Sequence, residues 1–366
     1  MKPHLLLAGL LALLLTACGK PEPIRIGFIG GLSDRTNDTG EAARNALMLA
    51  IEQRNAAGGI DGRPLEMLVA DDGQEASLAR KAMSALVAGQ PAAIVGPYTS
   101  AVAEAILPQA DQAGIVLLSP VITSMQFVGK DDMLIRLNRS TRDNAGDYAQ
   151  QLIGRGISRL AVALDVRNRA FSASWLDELR ASYPALGGEI LTVVEFHSAA
   201  STSFSDIADQ LLDAAPGGLL FIANAVDVAR LAQQVRKRSA DVPLAAVEWA
   251  STEQLLELGG RAVEGLLVAQ SHNRDDPGAR FTAFRETYKA RFGREPGYTA
   301  IATQDAAIVL FDALARQSRA LPLKRAIIEG GLYPGLQQDI RFDRFGDSTR
   351  KIHFAEIRNG AFVLVP

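Results

Sequence analysis

The sequence predicts an α/β protein built as two doubly wound parallel-sheet lobes. Three observations carry that expectation. Apolar runs of strand length alternate with amphipathic stretches of helix length, the pattern of parallel strands joined by right-handed crossovers. About eleven such alternations are too many for one small open sheet. The chain then closes on three helices and an antiparallel-looking tail, which an eight-fold barrel of even repeats would lack. Composition agrees. The 366 residues, 48% hydrophobic and 22% charged, suit a folded globular chain and exclude a disordered or collagen-like one. At ~100–200 residues per domain, two domains are expected.

The elements run in order as follows. Residues 24–29 read as a strand. Residues 41–57 carry apolar positions at 43, 46, 47, 50 and 51, a helical stripe stopped by Gly58-Gly59. Strand 65–69 ends at Asp71-Asp72, and helix 75–88 leads to strand 92–95. Helix 100–113 contains Pro108, which predicts a kink or an early end there. Strand 115–118 completes the first series. The second series reads as helix 142–154, strand 160–164, helix 174–182, strand 189–196, helix 204–214, strand 219–222, helix 226–238, and strands 244–247 and 265–270. The tail reads as helices 280–292, 299–316 and 322–329, then extended segments 340–342, 351–357 and 361–365. Gly346-Asp347 and Asn359-Gly360 are the turn signals between those last segments.

The N-terminus reads as an address. A positive start, an aliphatic run from Leu5 to Leu15 and small residues before a cut site make a secretory signal over 1–17. The apolar run is too short for the ~20 residues of a spanning helix. Leu15-Thr16-Ala17-Cys18 resembles the bacterial lipobox, and the only cysteine of the chain stands where that motif needs it. The resemblance implies cleavage before Cys18 and its acylation with more than one chain, since a single chain anchors only marginally. Residues 18–23 read as a tether. No later segment reaches spanning length, so the expectation is a soluble body held to the bacterial envelope by its N-terminal lipid alone, on the periplasmic or extracytoplasmic face.

Several chemistries lack their signatures. A net charge of −3 supplies no basic excess for nucleic acid. One cysteine allows no internal disulfide and no thiolate zinc cage. Histidines at 4, 197, 272 and 353 leave little for a metal site, and no cofactor is expected. His197 and His272 read as surface loop residues, while His353 and Glu356 face opposite sides of a strand. Gly129-Lys130-Asp131 fails the phosphate-loop pattern, and Gly27-Phe28-Ile29-Gly30-Gly31 is not a dinucleotide fingerprint. No nucleophile elbow or zinc-helix motif occurs. An enzyme is not expected, because a cleft serine such as Ser100 or Ser119 has no histidine placed to serve it.

What remains is loops at the C-terminal ends of strands, where open parallel sheets bind small ligands. Gly96-Pro97-Tyr98-Thr99-Ser100 precedes a helix. Ser100 stands at the N-cap position, either as a plain cap or, with the free amides of the first turn, as an anion site. Ser119-Pro120-Val121-Ile122-Thr123-Ser124 offers hydroxyls and carbonyls to an ammonium group. Glu248-Trp249-Ala250-Ser251 offers a carboxylate beside an aromatic, either a cation partner or a helix-start acid next to a core tryptophan. Together these loops complement a zwitterion.

The pattern resembles the type I periplasmic substrate-binding proteins of ABC importers, in the leucine/isoleucine/valine-binding branch, from Ile24 to about Phe345. Its landmarks are Gly30-Gly31-Leu32-Ser33, the turn from Asn55 to Gly62, Asp71-Asp72, Val95-Gly96-Pro97, Ser119-Pro120 and Val263-Glu264-Gly265. The resemblance implies a carboxylate held by Ser100 and Thr99 and an amine held by the Val121 carbonyl, the Thr123 hydroxyl and Glu248, with Tyr98 as a further contact. Aromatic positions of the branch fall on Thr39, Phe171 and Asn224, and Trp249 is bulkier than the branch implies. These departures point away from strict branched-chain specificity, toward an amino acid or similar small amine or amide.

The resemblance also implies two lobes joined by a three-crossing hinge, with lobe 1 at 24–142 and 272–338 and lobe 2 at 143–271 and 339–366. The implied partners are the small-molecule ligand, an ABC permease and the membrane, through lipid only. A ligand-sensing or envelope-assembly lipoprotein of the same fold is the alternative.

Overall fold

The computed structural model describes residues 21–33 and 39–366; the signal segment and Cys18 lie outside the described residues. Two sheets organise the chain. The first is parallel throughout, in the order β2-β1-β3-β4-β5, from β1 (Ile24–Gly30), β2 (Leu65–Asp71), β3 (Ala93–Val95), β4 (Leu117–Ser119) and β5 (Leu134–Arg136). The second begins with parallel β6 (Arg159–Asp165), β7 (Glu189–Phe196), β8 (Gly218–Ile222), β9 (Leu244–Ala246) and β10 (Leu267–Gln270). The tail strands β13 (His353–Arg358) and β14 (Ala361–Val365) extend it antiparallel, giving the order β14-β13-β10-β9-β8-β6-β7. Strands β11 (Tyr333–Pro334) and β12 (Asp339–Ile340) pair only with each other.

The landmark residues do structural work at strand ends. Asn55 pairs with both backbone groups of Leu65 (2.9 and 2.7 Å), fixing the end of helix α1 (Thr39–Ala56) to the start of β2. Asp71 accepts from the amides of Leu32 and Gly73, both at 2.9 Å, and so folds the chain after β1. The Glu264 carboxylate receives the amides of Asn359 and Gly360, holding the β13–β14 hairpin.

Four features differ from the sequence expectation. Helix α3 (Ser100–Ala113) runs through Pro108 without an early end. Pro108 is exposed, so water can reach the carbonyl its missing N–H leaves behind, while Val102, Ala103, Ile106, Leu107 and Ala110 bury the other face. Strand β5 is new. It is three residues long and carries Arg136, whose guanidinium is buried against Asp347 at 2.8 Å. Helix α5 (Arg169–Ser182) starts a turn earlier than its apolar pattern suggests, after a 3-10 turn in which Asp165 accepts the Arg167 amide (3.0 Å). Helix α8 (Glu253–Gly259), between α7 (Ala225–Arg236) and β10, has too few apolar residues to stand out.

The chain passes between the sheets three times. It leaves the first between Arg136 and helix α4 (Thr141–Gly154), whose apolar face packs in the second core. It returns between Gln270 and α9 (Ala279–Phe292); α10 (Tyr298–Arg316) and α11 (Leu323–Ile328) then cover the first sheet. Ile340 and Phe342 bury in that same first core, and the Arg136 amide bonds the Gly346 carbonyl at 2.9 Å. The third crossing therefore comes after Ser348 rather than at 339, because an apolar pair and the Arg136–Asp347 pair keep this segment with the first sheet.

Two neighbouring glutamines tie down two of the crossings. Gln337 takes both backbone groups of Asn273 (3.0 and 2.5 Å), and Gln338 takes both backbone groups of Lys351 (2.9 and 3.1 Å). A side-chain amide matched to a peptide group in this way copies one rung of a sheet. The unclamped backbone next to the second sheet is then Ser271-His272 on one crossing and Ile352 on the other.

Candidate functional site

The first-lobe wall is built by two loops. Gly96 turns the chain after β3 at φ 115, a conformation that suits glycine, and a Cβ there would run into the Ile29 carbonyl. Thr99, not Ser100, caps α3: its hydroxyl accepts from the Val102 amide at 3.4 Å. Thr99 serves the helix and does not line the hollow. Ser100, 2% exposed, does line it. Tyr98 stands beside it with its hydroxyl 2.8 Å from Thr303 Oγ1, and burial pushes its phenol above the ordinary value. Ser119 donates to the Pro97 carbonyl at 2.8 Å and ties the two loops together. Past it, Val121, Ile122 and Thr123 face the hollow. Thr123 is 1% exposed, and its hydroxyl oxygen has no protein partner.

The second-lobe wall centres on Glu248, the first residue of a 3-10 turn after β9. Its carboxylate accepts from Asn144 Nδ2 at 2.7 Å and from Trp175 Nε1 at 3.2 Å. Burial raises its pKa above the ordinary glutamate value; its own backbone amide, Asn144, Trp175 and the charge of Arg139 act in the other direction. Glu248 is half-buried and lines the hollow. Phe171 and Trp249 meet edge to face beside it, centroids 5.8 Å apart at 80°.

The two walls enclose a narrow hollow, with about 470 Å³ of empty space once the open solvent in front of it is counted. Residues from both lobes line it, and among the described residues Glu248 is the one charged side chain there. The lobes also touch directly. Asn168 Oδ1 accepts the Ala101 amide across the cleft at 3.1 Å, and Ser174 Oγ accepts the Met125 amide at 3.0 Å. The hollow thus offers an anionic end at Glu248, an uncharged polar end at Ser100 and Thr123, and an aromatic flank. Such a set can hold an ammonium group and a second polar group. Among the described residues, no group of three or more His, Cys, Asp or Glu lies close enough to hold a metal ion.

Seven of the ten candidate ligand residues therefore converge: Tyr98, Ser100, Val121, Thr123, Phe171, Glu248 and Trp249. Thr99 does not, nor do the other two. Asn224 caps helix α7, accepting from the Val226 and Asp227 amides (2.9 and 3.1 Å), and its amide donates to Asp227 at 2.7 Å. Thr39 begins α1 and lines a neighbouring cavity, its carbonyl taking the Thr299 hydroxyl at 2.9 Å. His272 is 2% exposed rather than a surface residue, and burial first, then Arg274, holds its imidazole well below the ordinary value.

Sequence reasoning missed Asn138, Asn168, Ser251, Ser271 and Tyr298 in the lining, and Asn144 and Trp175 behind Glu248. Asn168 and Ser271 follow strands β6 and β10, so the strand-end rule reaches them. Tyr298 arrives on a helix that returns from the other lobe, and no local signal marks it.

A family model described as "periplasmic binding protein" matches residues 23–361. The leucine-, isoleucine-, valine-, threonine- and alanine-binding protein of Pseudomonas aeruginosa is 20% identical over 328 residues, 89% of this chain and 87% of that one. Among solved structures, a branched-chain amino acid transporter substrate-binding protein of Streptococcus pneumoniae, in complex with isoleucine, superposes with a TM-score of 0.86. The match is at 21% identity and covers 94% of this chain and 99% of that one. A solute-binding protein of an ABC transporter from R. palustris, in complex with benzoate, gives 0.82 at 16% identity, covering 94% and 95%. At such identities these structures establish the shared fold.

Proposed function

The chain belongs to the periplasmic binding protein family, a family of solute-binding receptors and not of enzymes, and from that premise we propose that it captures an amino acid or related small amine or amide between its lobes and delivers it to an ABC importer. The observation that carries the proposal is Glu248, the single charged side chain among the described residues of the wall, across from the unpartnered Thr123 hydroxyl and Ser100. Glu248 receives the ammonium group, with help from the Val121 carbonyl. Ser100 and Thr123 meet the ligand's other polar end, and Tyr98, Phe171 and Trp249 pack its body. An uncompensated carboxylate buried there favours a ligand that brings a positive charge. Relatives whose names mention branched-chain amino acids and a structural neighbour that holds benzoate support a fold that takes ligands of varied shape.

Closure follows from differential contact, since a ligand that touches both walls binds the closed form better than the open one. The closed form then docks on a permease, and any nucleotide hydrolysis belongs to the partners. In this reading the acylated Cys18 tethers the receptor to the envelope on its extracytoplasmic side.

A thermal-shift screen of the protein against amino acids, amides and small acids tests the ligand. A hundredfold excess over the dissociation constant adds ~2.7 kcal/mol of stability. If only acids without an amine raise the melting temperature, Glu248 is not an ammonium site and the reading fails. Uptake of the binding compound, measured with and without this chain in cells, tests import; binding without uptake assigns the chain to sensing.

A further inference from the structure

The N-terminus of α3 faces the hollow, and the free amides of a helix's first turn are a natural seat for a carboxylate. Here that seat is occupied in part. The Val102 amide bonds Thr99 Oγ1, and the Ala101 amide bonds Asn168 Oδ1, which reaches over from the opposite lobe at 3.1 Å. Asn168 is 7% exposed and lines the hollow itself. Among the described residues, no lysine, arginine or histidine lines the hollow to offset a second negative charge.

We infer that Asn168 is a specificity residue, which selects ligands whose second polar end is a neutral, donor-bearing group such as a primary amide, and rejects a carboxylate. The inference rests on the reading of Glu248 as the ammonium site and narrows it. An amide carbonyl oxygen has two lone pairs. One of Asn168's takes the Ala101 N–H, and the other is available to a ligand N–H. Thr123 Oγ1 and Ser100 can donate to the ligand's carbonyl. A primary amide thus satisfies donors and acceptors together. A carboxylate has nothing to donate and sets its charge against the Asn168 oxygen, which then keeps the Ala101 N–H as its one partner. Charge argues the same way. A ligand with an ammonium group and an amide balances Glu248, whereas a zwitterion adds a negative charge that no described lining residue offsets.

The test is calorimetric titration of amino acids and their matched primary amides into the wild type, Asn168→Ala and Asn168→Asp. In the wild type, the amide of the best-binding pair binds at least about tenfold more tightly than the acid. Asn168→Ala frees the Ala101 amide and removes the opposing oxygen, so the amide-to-acid preference shrinks at least about tenfold. Asn168→Asp keeps the acceptor and adds charge, so the preference widens. A wild type that prefers the acid overturns the inference. So does Asn168→Ala weakening both ligands equally, which would make Asn168 a lobe-to-lobe latch and nothing more. If acids and amides all fail to bind the wild type, the ammonium reading of Glu248 falls and takes the inference with it. If both classes bind and the ratio does not move, only the inference falls.

Discussion

Replacing Glu248 by glutamine removes one charge from the hollow while keeping its shape. The carboxylate now takes Asn144 Nδ2 at 2.7 Å and Trp175 Nε1 at 3.2 Å. In the variant the glutamine carbonyl still accepts from Trp175. Asn144 Oδ1 is buried and has no partner, so turning the Asn144 amide over lets it accept from the new NH2 group. The flip exchanges one unpartnered Asn144 atom for another, its NH2 group now standing where the oxygen stood, while the cost of burying a charge disappears. The unliganded variant is therefore expected to be as stable as the wild type, within about 1 kcal/mol. Ligand binding is different. A charge-assisted hydrogen bond contributes about 1.5–3 kcal/mol, so affinity for amine-bearing ligands should fall about 10- to 150-fold. Calorimetric titration reads the affinity, and melting without ligand reads the fold. A second readout is pH. Because burial raises the Glu248 pKa, wild-type affinity for amines should decline on acidification before the ordinary glutamate range is reached, and the variant should lose that dependence. An unchanged dissociation constant in a folded variant would remove Glu248 from the site and refute the reasoning.

Three further perturbations test the scaffold. Asp72 is buried, which raises its pKa from 3.8 to about 6 despite its bond to the Gln74 amide. The folded state holds that proton more tightly than the unfolded state, so the stability it lends is complete below pH 3.8 and lost as pH rises to about 6, about 3 kcal/mol in all. Asp72→Asn keeps the acceptor for Gln74 and should be more stable than the wild type at pH 8 but equal near pH 3.5; denaturation at the two pH values decides, and a less stable variant at pH 8 contradicts the account. Asp347→Asn leaves the buried Arg136 guanidinium without its anion and should cost about 3–5 kcal/mol in urea unfolding, whereas a loss below about 1 kcal/mol would show the pair to be solvated. Gln337→Ala with Gln338→Ala releases both crossings; the expected outcome is a larger radius of gyration by X-ray scattering and weaker ligand binding in a protein that still melts cooperatively, and unchanged scattering and affinity would deny the glutamines a role in the hinge.

Much of the fold was legible because it rests on local periodicity. Strands β1, β7 and β14 and helices α1, α6 (Phe204–Asp213) and α9 carry stripes or runs that the hydrophobic effect must bury, and these can be read a few residues at a time. Strand β5 escaped that reading because its central feature, Arg136, is polar by type and buried only through Asp347, more than two hundred positions away. Pro108 misled for the converse reason: a local rule against proline was overruled by a face of α3 that packs elsewhere.

The candidate site divides along the same line. Loops at strand ends identified Tyr98, Ser100, Val121, Thr123, Glu248 and Trp249, since the end of a parallel strand is set by the chain's own pattern. What each side chain does was settled by its hydrogen-bond partners, near for the two caps and distant for the rest. Thr99 took the cap and released Ser100; Asn224 went to its own helix; Asn144 and Trp175 came to support Glu248; Asn168 crossed the cleft to Ala101. The order of residues therefore determined the two sheets, their helices and the loops that face the gap, because burial of apolar surface acts through spacing along one segment. Only the tertiary structure decided which polar atoms remain available to a ligand, because a hydrogen bond once made to a neighbour from the other lobe is withdrawn from the site.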